Sequence, residues 1–379
     1  MRCMIKLQTK NLRPGMVPVQ SVYNAKGASY LVKGIPLTEQ YIQRLRQLGI
    51  RELYVTSTMP ELLIKLPEDV LQEETRHMAV DHVYQLFESF QQQQLMDIEP
   101  VERAADAIVG DLILRRKNLV QLNDIRTYDM YTFSHSVNVA VLSAIIGTLC
   151  NLDTRRMHQL TLGALLHDLG KTRVPQGILN KQGRLTKEEF DIIRQHPRWG
   201  SEMILSMKMP GTAMFAICAR QHHEHMDGRG YPYGIEGTQI HLFGRISAIA
   251  DVYDALTSVR PYKKPYPPHV AYNIMINCSP GQFDRDLLTL FFANVALYPV
   301  GTVLQLTSGY CIVKEVTFGQ TGRPRVILFS DAEGRRCPPR EIDLYHEPGE
   351  KIEKVITGAE LLHYINEKDF DPASLLAED

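Results

Sequence analysis

The stretch QHHEHMDGRGYPYG, residues 221–234, carries three histidines and two acidic residues and then passes into a glycine-rich loop. A single histidine on an apolar helix is usually a hydrogen-bonded core residue and predicts nothing about function. Two adjacent histidines, His222 and His223, followed by Asp227 and a flexible backbone, are more typical of a ligand site. Whether they form one depends on which partners the rest of the chain supplies.

The composition is that of an ordinary globular protein. The 379 residues are enough for two or three domains, and 44% are hydrophobic, 22% charged, with a net charge of −1. This charge offers no basic field to nucleic acid, MRCMIKLQTK lacks the apolar core of a signal peptide, and no run approaches the roughly 18 apolar residues of a membrane span. The six scattered cysteines indicate reduced thiols. We expect a cytoplasmic protein that binds neither nucleic acid nor membranes.

Four segments with different sequence patterns divide the chain. Residues 1–60 alternate like strands and include a helix capped by Thr38, which predicts a small regulatory α+β domain. Residues 66–125 predict a solvated helical connector, with self-association into a homodimer as an alternative. Residues 126–297 are helix after helix, and residues 298–379 predict a β-rich extension with an acidic tail. The expected fold class is therefore multidomain, with an all-α middle between the two smaller parts.

The helical segment contains further side chains of the metal-binding type. His135 is followed by apolar residues at helical spacing, so it faces the core. His167 and Asp168 lie near the end of an apolar helix, for which Gly170 is the expected C-cap. Each such residue alone could be satisfied by backbone groups, and the acids of the helix at 246–257 could lie on the surface. Together the candidates number seven: His135, His167, Asp168, His196, His222, His223 and Asp251.

Seven such side chains suit two cations better than one. Imidazoles and carboxylates on apolar faces are costly to bury unless they are paired or bound to metal. The mixed set suits Mn, Fe, Ni, Zn or Mg, and the lack of cysteine ligands argues against a structural zinc site. Asp168 is best placed to bridge, because it adjoins one histidine and its helix faces the others. Two divalent metal ions are therefore expected as cofactors.

Three stretches resemble the HD-GYP family of phosphohydrolases, a subgroup of the HD superfamily. They are HDLGKTRVPQGILNKQGRLTKEEFDIIRQHPRWG (167–200), HHEHMDGRGYP (222–232) and ISAIADVYDALTSVRPYK (246–263). The resemblance covers about 125–297, and residues 1–60 resemble a domain that often precedes the catalytic one. It implies an all-helical HD-GYP bundle whose substrate is the bacterial messenger cyclic di-GMP.

The same resemblance implies roles for individual residues. The seven candidates fall on the family's metal positions, where two divalent transition-metal ions, Fe, Mn or Ni, are expected. Asp168 and Lys171 are the expected catalytic residues. Lys171 also falls on a lysine that contacts substrate phosphate, while Arg260 and Lys263 fall on positions that hold the second phosphate or a guanine. The GYP loop either shapes the lip of the pocket or docks a partner such as a GGDEF-domain cyclase. This loop comprises Gly230, Tyr231 and Pro232.

Some positions depart from the family's pattern. Family members with a third metal have a glutamate four residues before the first histidine, where this chain has Tyr131, so two metals are expected. His225, Val259 and Gln176 replace the arginine and acids that are usual in the family. These three changes bear on substrate affinity but leave the ligand set intact.

The leading prediction for function is an enzyme. A hydroxide held between two metal ions would hydrolyse cyclic di-GMP to linear pGpG, with onward cleavage to GMP left open. A second prediction keeps the site but changes the substrate to another cyclic dinucleotide or phosphate ester. A third is a signalling module that binds cyclic di-GMP or a cyclase without turnover. The intact set of ligands favours an enzyme over this third alternative.

Overall fold

The computed structural model describes residues 4–18, 21–23, 29–48, 50, 52–56, 70–92, 97–115, 131–181, 183–207, 209–258, 265–278, 281–356 and 360. The chain divides into two compact units. The helical unit comprises Val70–Leu119 and Met130–Phe292, and the other comprises Met1–Asp69, Val120–Asp129 and Ala293–Asp379. Among the described helices, none has both the length and the apolar character that crossing a bilayer requires.

The amino-terminal part has the elements of a small α+β unit. They are β1 (Met4–Gln8), β2 (Val17–Pro18), β3 (Val22–Tyr23), β4 (Ser29–Leu31), α1 (Glu39–Gln47) and β5 (Glu52–Thr56). The strands form an antiparallel sheet in the order β1-β5-β2 and a separate β3-β4 pair. Helix α1 begins at the expected place, because the Thr38 side chain accepts a hydrogen bond from the Tyr41 amide. Its apolar face, Ile42 and Leu45, is buried in the local core.

The helical unit confirms the all-helical middle predicted from the sequence. Its α-helices are α2 (Glu73–Gln91), α3 (Glu99–Leu114), α4 (Tyr131–Leu149), α5 (Thr154–Leu165), α6 (Gln176–Leu179), α7 (Lys187–Ile193), α8 (His196–Ser206), α9 (Thr212–Gln221), α10 (Leu242–Thr257), α11 (Pro268–Asn273) and α12 (Arg285–Asn294). The side chains of α4 are buried from Ser134 to Ile146, which explains why the helix is apolar almost all round. Helix α7 starts at a capping box in which Thr186 and Glu189 exchange hydrogen bonds.

Helices α2 and α3 belong to this helical unit, although the sequence analysis separated them as a solvated connector. Helix α2 packs on α3 and α4, and α3 packs on α5. The stripe of α2 that includes Val83 and Phe87 is buried. Asp111 of α3 accepts hydrogen bonds from the amide and the side chain of Gln72, which fixes the start of α2. The two helices are therefore part of a packed body and not an exposed linker.

The expected C-cap at Gly170 is wrong, because α5 already ends at Leu165. His167 and Asp168 lie in a turn that leads into a 3₁₀ helix, Leu169–Arg173. Gly170 has another role, since a Cβ at this position would collide with the His196 carbonyl oxygen and the Gly200 amide nitrogen. The 3₁₀ helix therefore meets the start of α8 backbone to backbone, and this contact brings Asp168 and His196 together.

Replacing Gly170 with alanine should destabilise the protein, because the colliding atoms belong to the backbone and cannot rotate away. We expect a loss of about 1–3 kcal/mol in the free energy of unfolding, which is the usual range for an overpacked site. Urea denaturation measures this change. Gly177→Ala in α6 is the matched control, because a Cβ there meets no atom within 4 Å. Equal stabilities for the two variants would contradict the close approach.

The carboxyl-terminal part is rich in β-strands, as predicted. It is a five-stranded antiparallel sheet in the order β10-β6-β7-β8-β9. Its strands are β6 (Val303–Leu306), β7 (Gly309–Glu315), β8 (Arg325–Asp331), β9 (Arg336–Asp343) and β10 (Ile352–Val355). Leu304, Val313 and Val326 lie in its core. Pro338 and Pro339 occupy the edge strand β9, where prolines are tolerated because half of the backbone amides need no partner strand.

Candidate metal centre

The helical unit brings all seven candidate residues to one place. Helix α4 supplies one, the turn after α5 two, the start of α8 one, the end of α9 two, and α10 one. Their donor atoms form two groups in which the atoms lie within 4.8 Å of one another; these groups are His196, His222 and His223, and His135, His167 and Asp168. Asp251 lies beside the second group, with Oδ1 3.1 Å from Nε2 of His135. All seven are buried except His223, which is half-buried.

Asp168 faces both groups with different oxygens. Its Oδ1 is 3.4 Å from Nε2 of His196 and 3.8 Å from Nε2 of His222. Its Oδ2 is 3.4 Å from Nε2 of His167 and 3.9 Å from Nε2 of His135. One carboxylate is therefore shared between the two sets of imidazoles. This is the arrangement required of a bridging ligand.

Backbone hydrogen bonds fix three of the imidazoles. The Nδ1 atoms of His167, His196 and His222 each donate to the carbonyl oxygen three residues earlier, at 2.7, 2.7 and 3.0 Å. A ring that donates through Nδ1 keeps a lone pair on Nε2 when it is neutral. Burial, and then the charge of Lys171, lowers the pKa of His196 to about 3, and burial lowers the pKa of His222 to about 4. The rings of His196 and His222 are thus held neutral, as metal ligands must be.

The unpaired atoms of the centre show that divalent cations fit it. Nε2 of His167 and Oδ1 of Asp168 are buried and have no hydrogen-bond partner among the described residues. Nε2 of His196 lies 3.3 Å from Nε2 of His222, so two lone pairs face each other. Acceptors gathered without donors are unfavourable unless a cation lies among them. Nitrogen and carboxylate donors of this kind suit Mn, Fe, Ni or Zn.

Lys171 is the cation nearest to the shared carboxylate. Its Nζ donates to Oδ2 of Asp168 at 2.5 Å. Burial alone would raise the pKa of Asp168, but the charge of Lys171 holds it well below its usual range. The carboxylate is therefore ionised. The lysine side chain remains 28% exposed, so an incoming anion has access to its ammonium group.

Asp254 belongs to the centre, although the sequence analysis gave it no role there and allowed that it could lie on the surface. It is 3% exposed, and its Oδ2 accepts from Nδ1 of His135 at 2.7 Å. Its Oδ1 accepts from Asn138 at 2.8 Å and from Ser258 at 2.6 Å. Burial would lower the pKa of His135, but hydrogen bonds to Asp251 and Asp254 raise it to about 9, so a bound cation would have to displace the proton on Nε2. The signal in the sequence was the three-residue spacing of two aspartates on an apolar helix.

The GYP loop folds back on the histidine doublet. The amide of Tyr231 donates to the carbonyl oxygen of His223 at 3.0 Å. The buried carboxylate of Glu224, which the sequence analysis did not single out, accepts from the amide of Tyr233 at 2.8 Å. A Cβ on Gly230 would collide with the backbone of Glu224. Glycine is therefore required here for close packing against the end of α9.

The side chains at three of the predicted positions lie outside the described part of the structure. Arg260 and Lys263 lie outside the described residues. Tyr131 is the first residue of α4, one turn before His135, and its side chain also lies outside the description. The substrate role of the first two residues and the two-metal reading of Tyr131 stay predictions.

Comparison with known proteins agrees with this fold and centre. A bundle of helices that converges on a histidine–aspartate doublet defines an HD-domain protein, and the HD domain family model matches residues 114–287. A cyclic di-GMP phosphodiesterase of Pseudomonas aeruginosa is 33% identical over 330 residues, which cover 79% of this chain and 78% of that relative. The chain therefore belongs to the HD-domain family, in the HD-GYP group that its motifs resemble.

Two further comparisons, one with a relative and one with a solved structure, cover different shares of the chain. The 3'3'-cGAMP-specific phosphodiesterase 1 of Vibrio cholerae is 34% identical over 183 residues, which cover 48% of this chain and 42% of that protein. Among solved structures, an HDG"Y"P protein from Bdellovibrio bacteriovorus matches 76% of this chain and 98% of its own, at 19% identity and a TM-score of 0.48.

Proposed function

We propose that the protein is a metal-dependent phosphodiesterase that hydrolyses cyclic di-GMP to linear pGpG. The observation that carries this function is the pair of imidazole groups that share the carboxylate of Asp168, with Lys171 beside it. The relative of Pseudomonas aeruginosa, which matches most of the chain, is a cyclic di-GMP phosphodiesterase. Onward cleavage of pGpG to GMP is part of the same proposal.

The two groups of donor atoms support an assignment of the metal ligands. One cation would be held by His135, His167 and Asp251, the other by His196, His222 and His223, with Asp168 common to both. Iron, manganese and nickel are the proposed metals, because the donors are imidazole nitrogen and carboxylate oxygen. When bound, two such cations supply an activated water and positive charge for the leaving oxygen.

Side chains at the edge of the centre bind and orient the substrate. The partly exposed ammonium group of Lys171 lies beside Asp168, where it can neutralise a phosphate oxygen. Its charge would stabilise the transition state as negative charge develops. Arg260 and Lys263 are proposed, from the family resemblance, to hold the second phosphate or a guanine. Docking of a GGDEF-domain cyclase and formation of a homodimer remain proposals from the sequence.

The substrate proposal predicts that metal-loaded protein converts cyclic di-GMP to pGpG and that EDTA stops the reaction. Chromatography of the products separates this reaction from cleavage of 3'3'-cGAMP, which we expect to be slower by on the order of tenfold, because the two substrates differ at one base. His222→Ala is the control for contaminating activity. Faster cleavage of 3'3'-cGAMP would show that it, and not cyclic di-GMP, is the preferred substrate. Binding of cyclic di-GMP without any product would identify a signalling module.

A further inference from the structure

We propose that Tyr231 of the GYP loop is a positioning residue that sets the ring orientation of His223. This inference rests on the proposed function, because it takes His223 as a metal ligand. The two rings are stacked, with their centroids 4.6 Å apart and their planes 24° apart. The guanidinium of Arg194 lies over the same tyrosine ring, 4.9 Å from its centroid. The stack therefore joins a metal-type imidazole to an aromatic and a cationic side chain.

His223 depends on this stack more than the other histidines of its group. The rings of His196 and His222 are fixed by hydrogen bonds from Nδ1 to backbone carbonyls. Within the described residues, the ring of His223 makes no hydrogen bond of that kind, and its other ring neighbours are those same two histidines. Tyr231 is thus the contact that holds the His223 ring from outside the proposed ligand set. Stacked aromatic pairs favour a limited range of ring angles, so the contact restricts the rotation of the imidazole.

Arg194 reinforces the tyrosine ring from the end of α7. Its guanidinium lies 5.8 Å from the centroid of Phe190 as well as over Tyr231. The edge of Phe190 also approaches Tyr231, with ring centroids 6.5 Å apart. A cation over a tyrosine ring is attracted by the electrons of its face. Tyr231 is therefore confined by two side chains, Phe190 in α7 and Arg194 directly after it, while it supports His223.

The loop backbone does not depend on the tyrosine side chain. The Tyr231 amide is bonded to the His223 carbonyl oxygen, and the Tyr233 amide to the Glu224 carboxylate. Both bonds are available to an alanine at position 231. Removal of the ring therefore tests the stack and leaves the course of the loop in place. Tyr233 is the matched control, because its ring is 47% exposed and lies under Arg220, away from this stack.

Titration of the metal-free full-length protein with Mn²⁺, followed by calorimetry, tests this role. Tyr231→Ala should weaken the binding of one ion by about tenfold, the lower end of the effect seen when the support of a ligand is lost. Tyr231→Phe keeps the ring face and should restore wild-type affinity. Tyr233→Ala should also bind as the wild type does. Arg194→Met should weaken the binding of the same ion, but by a smaller factor than Tyr231→Ala does.

Two results would overturn the positioning role. Wild-type Mn²⁺ affinity in Tyr231→Ala would show that the stack does not orient His223, and an equal loss in Tyr231→Phe would show that the hydroxyl group acts instead of the ring. Arg194→Met decides the matter if Tyr231→Ala does not fold, since unchanged affinity there also contradicts the proposal. Failure of the proposed function looks different: the wild type would bind two ions and still leave cyclic di-GMP uncleaved.

Discussion

Asp168→Asn should abolish measurable hydrolysis and weaken the binding of both metal ions, the largest loss expected from a single change. Each oxygen of Asp168 faces a different imidazole group, so the substitution damages both groups at once. Asparagine keeps the shape but is neutral, and it presents an amide where a ligand oxygen is required. Because metal ions contribute several kcal/mol to such reactions, the rate should fall by at least roughly a thousandfold.

Metal analysis of the purified variant, together with its activity, measures this effect. Asp153→Asn is the matched control, because Asp153 caps α5 through its side chain and asparagine caps a helix equally well. The metal content and activity of His222→Ala should lie between those of Asp168→Asn and Asp153→Asn, since His222 belongs to one group alone. Full metal content in Asp168→Asn would rule out the shared carboxylate.

The seven candidate ligands could be predicted because the sequence places imidazoles and carboxylates on or beside apolar helical faces. His135 heads a stripe of α4 that continues through Val139 and Leu142, and all three are buried. A histidine there has to be hydrogen-bonded or bound to a ligand. The doublet at the end of α9 supplied the second signal. Local spacing was thus enough to find the side chains, although it gave no distances between them.

The tertiary contacts could not be predicted from local spacing. Gly170 looks like a C-cap in the sequence, but α5 ends five residues earlier, at Leu165. The glycine is needed for the close approach of the backbone near His196, a contact between segments far apart in the chain. Helices α2 and α3 were similarly taken for a connector, because their burial depends on α4 and α5. Asp254 was given no role because its partner, His135, is 119 residues away in the sequence.

Asp254→Asn should weaken metal binding by about 10–100-fold, with a smaller effect on folding. Asp254 accepts from Nδ1 of His135 and so turns the opposite ring nitrogen, Nε2, toward Asp251 and Asp168. A carboxylate in this position fixes the ring and makes it a better electron donor, and loss of such a partner typically costs that range of affinity. Asparagine retains an oxygen for Asn138 but carries no charge.

Asp254→Ala separates the contribution of the charge from that of the hydrogen bonds. Alanine leaves Asn138 and Ser258 without their shared carboxylate in a buried position, so the free energy of unfolding should fall by about 1–3 kcal/mol. Mn²⁺ titration and urea denaturation of both variants measure the two effects independently. If the carboxylate positions His135, both variants lose metal affinity and only Asp254→Ala loses much stability. Wild-type affinity in Asp254→Asn would show that the buried carboxylate serves folding alone.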